Sequence, residues 1–313
     1  MRRVLILLII LANNVSASEN LSDDEQYCTE NAALSCADYL QQQLATLPRY
    51  SHAWYRVKAF QLNNFYDQHQ FSVLHSEAAT LIAQDSRSDG SAEVMPTVLK
   101  VQVYFYYAKT LFHTGHTAEA KDYANRAAVI LQDIYTAFGN PLRLVELANL
   151  QYSLGQLEQA DRLLTQAQHS YQKSKDPLFL FELYSNKALI SHQRNNLEEA
   201  ATYRNEALNA AMTLGHHQKM IVAMGNLART QQLLGRLPAA LNLYEQSLRY
   251  TANPEYRTQH HIHLVRLAEI CTQLQDYAAA QGFYAQIDVE VLSPAHQQLY
   301  HEISSKLAIA LQH

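Results

Sequence analysis

The sequence predicts an all-α fold: a right-handed superhelical solenoid of helix hairpins with a C-terminal capping helix. Three observations predict it. A motif recurs every forty residues, each copy holds two apolar helical stripes, and the composition is rich in Ala, Leu and Gln with only 8 glycines in 313 residues. Self-similarity at a fixed period of this size is typical of solenoid proteins. Abundant helix-forming residues favour the same interpretation.

The forty-residue motif joins a turn to the start of a second helix. One copy is LGQLEQA at 154–160, and its register recurs at 114–120, 194–200, 234–240 and 274–280. A small residue keeps the same step through five copies, at Ala108, Ala148, Ala188, Ala228 and Ala268. Two helices of a hairpin cross closely at such positions, where a larger side chain would push them apart.

A break separates the two helical stripes of each copy. In the third copy, 178–193 is apolar at steps mostly of three and four, and a second stripe begins at Leu197. Gly155, Asn195 and Gly235 fall at the breaks. Gly and Asn tolerate a positive φ, which ends one helix and turns the chain. Since no single hairpin buries its apolar faces alone, the copies must stack.

This pattern resembles the tetratricopeptide repeat family, which has a small residue at position eight, Gly or Asn at fifteen and Ala at twenty. The second copy has Ala148, Gly155 and Ala160 at these positions, and the resemblance extends over 101–287. The forty-residue period is similar to the longer-helix branch of the family, which includes kinesin light chain, the Rap-type regulators and the regulatory domain of the maltose activator. The resemblance is specific for fold and weak for function.

Met1–Ala17 has the features of a secretory signal. Arg2 and Arg3 form a basic start, the apolar run 4–12 is too short to span a bilayer as a permanent helix, and VSA fits a small-x-small cleavage site before residue 18. We expect cleavage after Ala17 and a periplasmic or secreted protein. The alternative is an uncleaved anchor.

The remaining chain, 18–313, is predicted to form a single solenoid. Its parts are an N-terminal cap at 18–50, a degenerate repeat at 51–83, a loop insertion and helix start at 84–100, five regular repeats at 101–290 and a capping helix at 293–312. The insertion is polar and contains Gly and Ser, which is typical of a loop. Ser293 followed by Pro294 is a strong helix start signal.

Cys28 and Cys36 are a disulfide candidate, because two cysteines close in sequence pair readily in an oxidising compartment. On one continuous helix they would lie roughly 12 Å apart, too far for a bond. A bond therefore requires a helix break, and Ser35 is a possible cap for a new helix. The alternative is two small buried residues. Cys271 is expected to be a buried thiol.

The charge of the chain excludes two classes of partner. Loss of Arg2 and Arg3 with the signal changes the formal charge from −5 to −7, and no cluster of Lys and Arg follows. A mildly acidic chain without basic clusters argues against nucleic acid and against anionic membranes. Since no later apolar run reaches the length of a span, stable membrane insertion is not expected.

Histidines form three small groups, none with the spacing of a metal site. The groups are His113 with His116, His216 with His217, and His260 and His261 with His263. A catalytic zinc site needs about three ligands and an acidic base, and no helical i, i+4 pair with a Glu between appears. Solvated surface histidine is the favoured interpretation, and a metal-responsive protein is a weaker one. Without a nucleophile elbow or phosphate loop, we expect no enzyme, no metal and no cofactor.

The first helix of each pair is expected to line a concave groove. In the kinesin light chain branch, an Asn two residues before the small residue faces that groove, and this chain is similar at Asn186 and Asn226. An amide both donates to and accepts from a peptide backbone. The predicted groove residues are Lys109, Phe112, Glu146, Asn149, Tyr152, Asn186, Leu189, His192, Asn226, Arg229, Arg266 and Glu269. The alternative is that the asparagines only bridge neighbouring helices.

The sequence thus predicts an exported, non-catalytic interaction module that binds a peptide or protein segment in its groove. The fold analogy is the main support for this function. The alternative is an extracytoplasmic sensory or structural component of a signalling or envelope assembly, acting through a separate membrane partner. The sequence leaves the identity of the partner and the oligomeric state open.

Overall fold

The computed structural model of the protein describes residues 27, 33–68, 70–85 and 94–310. Every regular element in these ranges is helical, with no β-strand. The predicted all-α repeat solenoid is confirmed. None of the helices in the described ranges combines the length and the apolar character that crossing a membrane requires. The predicted signal segment, 1–17, lies outside them.

The chain divides into two compact units, 1–169 and 170–313. The helices that begin in the first unit are α1 (Ala33–Thr46), α2 (His52–Asp67), α3 (Phe71–Asp85), α4 (Thr97–His113), α5 (Thr117–Phe138), α6 (Pro141–Ser153) and α7 (Leu157–Ser170). The second unit holds α8 (Pro177–Gln193), α9 (Leu197–Leu214), α10 (His217–Leu233), α11 (Leu237–Thr251), α12 (Arg257–Gln273), α13 (Tyr277–Tyr284) and α14 (Pro294–Ala310). Short 3-10 turns at Pro254–Tyr256 and Val289–Val291 precede α12 and α14.

Five hairpins close through the same turn. After α8, the Asn195 amide donates to the His192 carbonyl at 2.9 Å and the Asn196 amide donates to the Ser191 carbonyl at 2.8 Å. This pair of bonds is the Schellman motif, in which the residue directly after the helix C-cap adopts a left-handed conformation. That residue has a positive φ at Gly115 (83°), Gly155 (75°), Asn195 (58°), Gly235 (74°) and Gln275 (63°). The predicted role of Gly and Asn at the breaks is confirmed, and Gln275 adopts the same conformation at a cost that Gly avoids.

The repeated small residues are buried where the helices of each hairpin cross. Two columns of alanine are each at most 2% exposed: Ala108, Ala148, Ala188, Ala228 and Ala268 on the first helices, and Ala120, Ala160, Ala200, Ala240 and Ala280 on the second. Side chains of this size allow the close helix approach that the sequence predicted.

Apolar side chains fill the spaces between hairpins. In the first unit a core forms around Trp54 and Tyr106, and in the second unit another forms around Phe181 and Leu227. At the C-terminal end, Leu307 of α14 packs in a cluster with residues of α12 and α13. α14 begins at Pro294, as its start signal predicted.

The N-terminal cysteine pair lies partly outside the described residues. Cys36 is buried and disulfide-bonded, whereas Cys28 is outside them, so their pairing stays a prediction. α1 already includes Ser35, since it begins at Ala33, and the suggested cap at this serine is wrong. Cys271 is free and buried, and burial raises the pKa of its thiol to about 11. α3 runs through Asp85, and 86–93 of the predicted loop insertion are not described.

His263 is a correction to the expectation of solvated histidines. It is 5% exposed, its Nδ1 lies 2.9 Å from the Ser247 hydroxyl, and its ring packs on Tyr244. Gly225 of α10 provides the space, because a Cβ added there would lie 2.8 Å from the His263 Nε2 atom. Burial lowers the pKa of His263 to about 4, so the ring is neutral at neutral pH.

We predict opposite effects of alanine at two helical glycines. Alanine is favoured over glycine in helices by about 0.5–1 kcal/mol. Gly282→Ala should therefore raise the free energy of unfolding by that amount, because nothing lies near its added Cβ. Gly225→Ala forces the buried His263 ring to move, and overpacking of this kind costs about 1–3 kcal/mol.

Denaturant unfolding of both variants checks this prediction. Gly225→Ala should be less stable than the wild type and Gly282→Ala more stable. An equal gain in both variants would mean that the His263 ring moves aside without cost.

We further predict that His263 makes the fold sensitive to acid. A pKa that is near 6.5 in the unfolded chain and about 4 in the folded chain means that the unfolded state binds more protons between these pH values. The neutral ring contributes fully to the free energy of unfolding above pH 6.5. This contribution falls as the pH is lowered to 4, by at most about 3 kcal/mol, because one pKa unit corresponds to 1.36 kcal/mol. Urea unfolding at stepped pH should show a steeper loss for the wild type than for His263→Gln. Parallel pH profiles would contradict the assignment.

Candidate functional site

The predicted groove residues are divided between the two units. Lys109, Phe112, Glu146, Asn149 and Tyr152 belong to the first unit, on α4 and α6. Asn186, Leu189, His192, Asn226, Arg229, Arg266 and Glu269 belong to the second, on α8, α10 and α12. We call this second set the first-helix face. It is built entirely within one unit.

In the first unit, two predicted residues are engaged within the fold. Lys109 donates to the Tyr66 hydroxyl at 3.0 Å and lies over the Phe105 ring, 4.6 Å from its centroid. Glu146 is buried and accepts a hydrogen bond from Arg143, which is fully buried. Their side chains therefore contribute to helix packing. Phe112, Asn149 and Tyr152 are half-buried.

The two asparagines share a register position but differ in depth. Asn186 is 7% exposed, and its Nδ2 donates to the Glu182 carbonyl of the same helix at 2.8 Å. The Asn226 side chain is exposed, and its backbone carbonyl accepts hydrogen bonds from Arg204 at 2.8 Å and from Thr230 at 3.0 Å. An open amide is therefore present at Asn226 and not at Asn186.

Three apolar side chains on the first helices of the second unit face solvent, one of them Leu233 at the C-terminal end of α10. Leu189 of α8 is 38% exposed and Val222 of α10 is 42% exposed. Val222 precedes Asn226 by four residues, so both lie on one side of α10. Val222 is not among the predicted groove residues, although its i, i+4 relation to Asn226 can be read from the sequence.

Charged residues join α10 to α12. Glu269 contacts Arg266 of its own helix at 2.8 Å and Arg229 of α10 at 3.7 Å. Arg229 also donates to Gln232 at 2.7 Å. A single carboxylate thus lies between two guanidinium groups.

Arg204 adds a third guanidinium group. It lies on α9, which is the second helix of its hairpin. It is 9% exposed and donates through Nη1 to Thr230 and to the Asn226 carbonyl. Burial lowers its pKa, and it forms no ion pair within the described part of the chain. We call Arg204, Arg229 and Arg266, together with Glu269, the arginine cluster. The sequence signal for Arg204 was its register, since other copies have Leu164, Tyr244 and Tyr284 there.

The arginine cluster affects the pKa values of three titratable side chains. Burial raises the pKa of Tyr244 to about 12, although the positive charges of the nearby arginines lower it. The pKa of His192 falls through burial and the positive charges of Arg204 and Arg229. The pKa of His296 on α14 falls through burial and then through positive charge from the same cluster. Residues of α8, α11 and α14 therefore share one electrostatic environment.

The described ranges contain no group of three His, Cys, Asp or Glu side chains arranged to hold a metal ion. His260 and His261 contact each other edge to face, and the His261 Nδ1 accepts from the Asp288 amide at 3.1 Å. The third histidine group thus serves packing and a turn in this structure.

Comparison with known sequences identifies one part of the chain. Residues 179–251 match the model of the tetratricopeptide repeat. The match covers α9, α10 and α11 and most of α8. No curated protein matches the chain by sequence.

Solved structures resemble most of the chain at low identity. The Cut9–Hcn1 hetero-tetramer of APC/C matches with a TM-score of 0.57 at 16% identity, over 88% of this chain and 46% of that chain. A Rap protein complexed with competence and sporulation factor matches with a TM-score of 0.52 at 14% identity, over 88% and 74%. NprR in complex with its cognate peptide NprX matches with a TM-score of 0.51 at 12% identity, over 89% and 76%.

Identities this low show the fold and not the function. The recurring turn, the two alanine columns and the sequence match nevertheless agree on the type of repeat. Residues 179–251 of the chain therefore match the tetratricopeptide repeat by sequence, and the described chain folds as an all-α repeat solenoid.

Proposed function

We propose that the protein is a non-catalytic interaction module that binds an extended peptide or protein segment along the first-helix face of its second unit. The observation that carries this proposal is the exposed amide of Asn226 on the same side of α10 as the exposed Val222. Such a surface offers hydrogen bonds to a backbone and apolar contact to side chains.

The chemistry of the face suits a peptide. An amide presents two donors and an acceptor, which match the alternating groups of an extended backbone. Leu189 and Val222 remove apolar side chains of the segment from water, at roughly 25 cal/mol per Å² of buried apolar area. Contacts of both kinds are the usual basis of extended-segment recognition.

The similar structures support this proposal but are not its main evidence. One is NprR with its cognate peptide, and another is a Rap protein with competence and sporulation factor. In both structures, a protein of similar fold is in complex with that partner. We propose that this chain uses its fold in the same general way.

We also propose that the protein acts outside the cytoplasm, after cleavage of Met1–Ala17. The basic start, the short apolar run and the VSA sequence support export. A binding module in that compartment would meet exported or envelope proteins as its partners.

The function is tested by capture with Asn226→Ala and a matched control. Asn209 on the second helix α9 is likewise exposed, so Asn209→Ala makes an equivalent change away from the face. Each hydrogen bond to a bound backbone contributes about 0.5–1.5 kcal/mol. Asn226→Ala should weaken partner capture from a periplasmic extract by up to about ten-fold. Quantitative mass spectrometry should show the same proteins captured at wild-type levels by Asn209→Ala. Equal capture by all three proteins would place binding elsewhere.

Asn186→Ala should behave differently from Asn226→Ala. Asn186 is buried and bonded within its helix, so its loss removes a buried hydrogen bond, at a cost of about 0.5–1.5 kcal/mol. Thermal unfolding should show a lower melting temperature for Asn186→Ala and an unchanged one for Asn226→Ala. Equal melting temperatures would mean that the two positions are equally open.

Export has its own test. Intact-mass analysis of the native protein from a periplasmic fraction should give an N-terminus at Ser18. Recovery of an intact Met1 in the cytoplasmic fraction would contradict export and leave the segment-binding proposal standing.

A further inference from the structure

The last part of the described chain, residues 288–310, covers the apolar end of the second unit. We call these residues the cap. Its side chains Leu292, Ile303 and Leu307 are each at most 5% exposed. They belong to one apolar cluster with Cys271 of α12. Release of the cap would therefore expose this cluster and the Cys271 thiol to solvent.

The cap is attached to α12 at its first residue, Asp288. The Asp288 backbone amide donates a hydrogen bond to the His261 Nδ1 atom at 3.1 Å, and the Asp288 carboxylate pairs with Arg257. A backbone amide can only donate, so the His261 Nδ1 atom must hold a lone pair and the ring must be neutral. An imidazolium has protons on both nitrogens and cannot accept this bond. Protonation of His261 therefore breaks one attachment of the cap.

The other two histidines of this group are not constrained in this way. The His260 Nδ1 atom lies 2.9 Å from the Thr251 hydroxyl. The His263 Nδ1 atom lies 2.9 Å from the Ser247 hydroxyl. A hydroxyl both donates and accepts, so it can bond to a ring nitrogen in either protonation state. Within this group, the bond of His261 is the one that requires a neutral ring.

The surroundings of His261 oppose its protonation on balance. Burial lowers the pKa of His261, the Asp288 carboxylate acts against this effect, and the positive charge of Arg257 adds to it. The His260 ring contacts His261 edge to face, and Glu290 of the cap is exposed. After release, the pKa of the ring returns to about 6.5, so the released form binds more protons in weak acid. Attachment of the cap is therefore strongest above pH 6.5 and weakens as the pH falls below it.

His296, on the cap itself, has a smaller effect in the same direction. It lies in the first turn of α14, where a positive charge is unfavourable. Burial and the charges of Arg266 and Arg229 lower its pKa, and Glu269 opposes them. Its Nδ1 atom lies 2.8 Å from the Ser293 hydroxyl, which accommodates either protonation state. Protonation of His296 therefore weakens the attachment of the cap without breaking a bond.

We propose that the bond between His261 and Asp288 is an acid-sensitive contact, which holds the cap on α12 at neutral pH and releases it in weak acid. Release exposes the apolar end of the second unit while the repeats beneath it stay folded. This contact differs from that of His263, which affects the stability of the whole fold. It also acts independently of segment binding by the first-helix face.

The experiment measures how fast Cys271 of the full chain reacts with dithiodipyridine, a reagent that modifies thiols in weak acid. Cys271 is free and buried, whereas Cys36 is disulfide-bonded. Peptide mapping under non-reducing conditions locates the label. The rate in the folded protein is divided by the rate in the urea-unfolded protein at the same pH, which removes the effect of pH on the thiol. This ratio should rise by about ten-fold between pH 7 and pH 5, since one such histidine contributes up to about 30-fold.

Two variants and one control connect this rise to His261. His261→Asn keeps an acceptor oxygen near the position of Nδ1 but does not titrate, so it should reduce the rise to less than about three-fold. His261→Gln is a second neutral replacement with the same expected result, so the test does not depend on the folding of one variant. His301→Asn changes an exposed histidine of α14 and should keep the full rise.

The urea dependence of the reaction separates release of the cap from global unfolding. Release exposes little surface, so the ratio should depend on urea much less than global unfolding does. A ratio with the full urea dependence of global unfolding overturns the proposal. A ratio that is the same at pH 7 and pH 5 also overturns it. An undiminished rise in both His261 variants does so as well, and assigns the acid response to another group.

Discussion

The constraint on which the structure depends is the left-handed residue that ends each first helix of five hairpins. A residue with positive φ stops the helix, and two backbone bonds then fix the direction of the next one. Gly155 and Gly235 adopt this conformation without steric cost, and Asn195 adopts it more readily than most residues. The same turn sets the register of the second helix, and therefore brings Ala160, Ala200 and Ala240 to buried positions. The alanine columns and the stacked cores follow from this turn.

The sequence was sufficient to predict the fold because the turn and the alanine columns are local signals. They repeat at a constant step, and each depends on residue size or backbone freedom alone. Gln275 shows the limit of this reasoning, since a residue without special freedom adopts the left-handed conformation when the other constraints of the hairpin require it. Repetition in neighbouring copies was the better guide at that position.

The candidate site was less predictable. The repeat register gives the side of the helix on which a residue lies, but not how deeply its side chain is buried. Asn186 and Asn226 occupy equivalent positions, yet only the second is open to solvent. Depth depends on what the neighbouring repeats contribute, and those side chains differ from copy to copy. Arg204 illustrates the same point, since it belongs to an apolar column and reaches through the helix layer to α10. Long side chains of this kind carry polar groups far from their own Cα atoms.

A buried ion pair also connects the first helices of two neighbouring repeats. Lys219 of α10 donates to Glu182 of α8 and lies over the Phe181 ring, 4.3 Å from its centroid. Pairs of this kind add little stability relative to apolar residues of similar volume. Breaking one partner is much more costly, because the other charge then stays buried alone. We infer that the Lys219–Glu182 contact favours the correct pairing of α8 with α10 more than it adds stability.

The close approach of Gly225 to His263 has a consequence for how such a protein changes over time. Equivalent positions of Gly225 hold Phe105, Val145, Ser185 and Val265, so only this copy leaves room for an imidazole from the following one. Duplication or exchange of whole repeats, the simplest route by which arrays lengthen, would bring a larger side chain against that ring. The fourth and fifth copies therefore fit each other as a pair, and an engineer who recombines repeats should cut the array outside this pair.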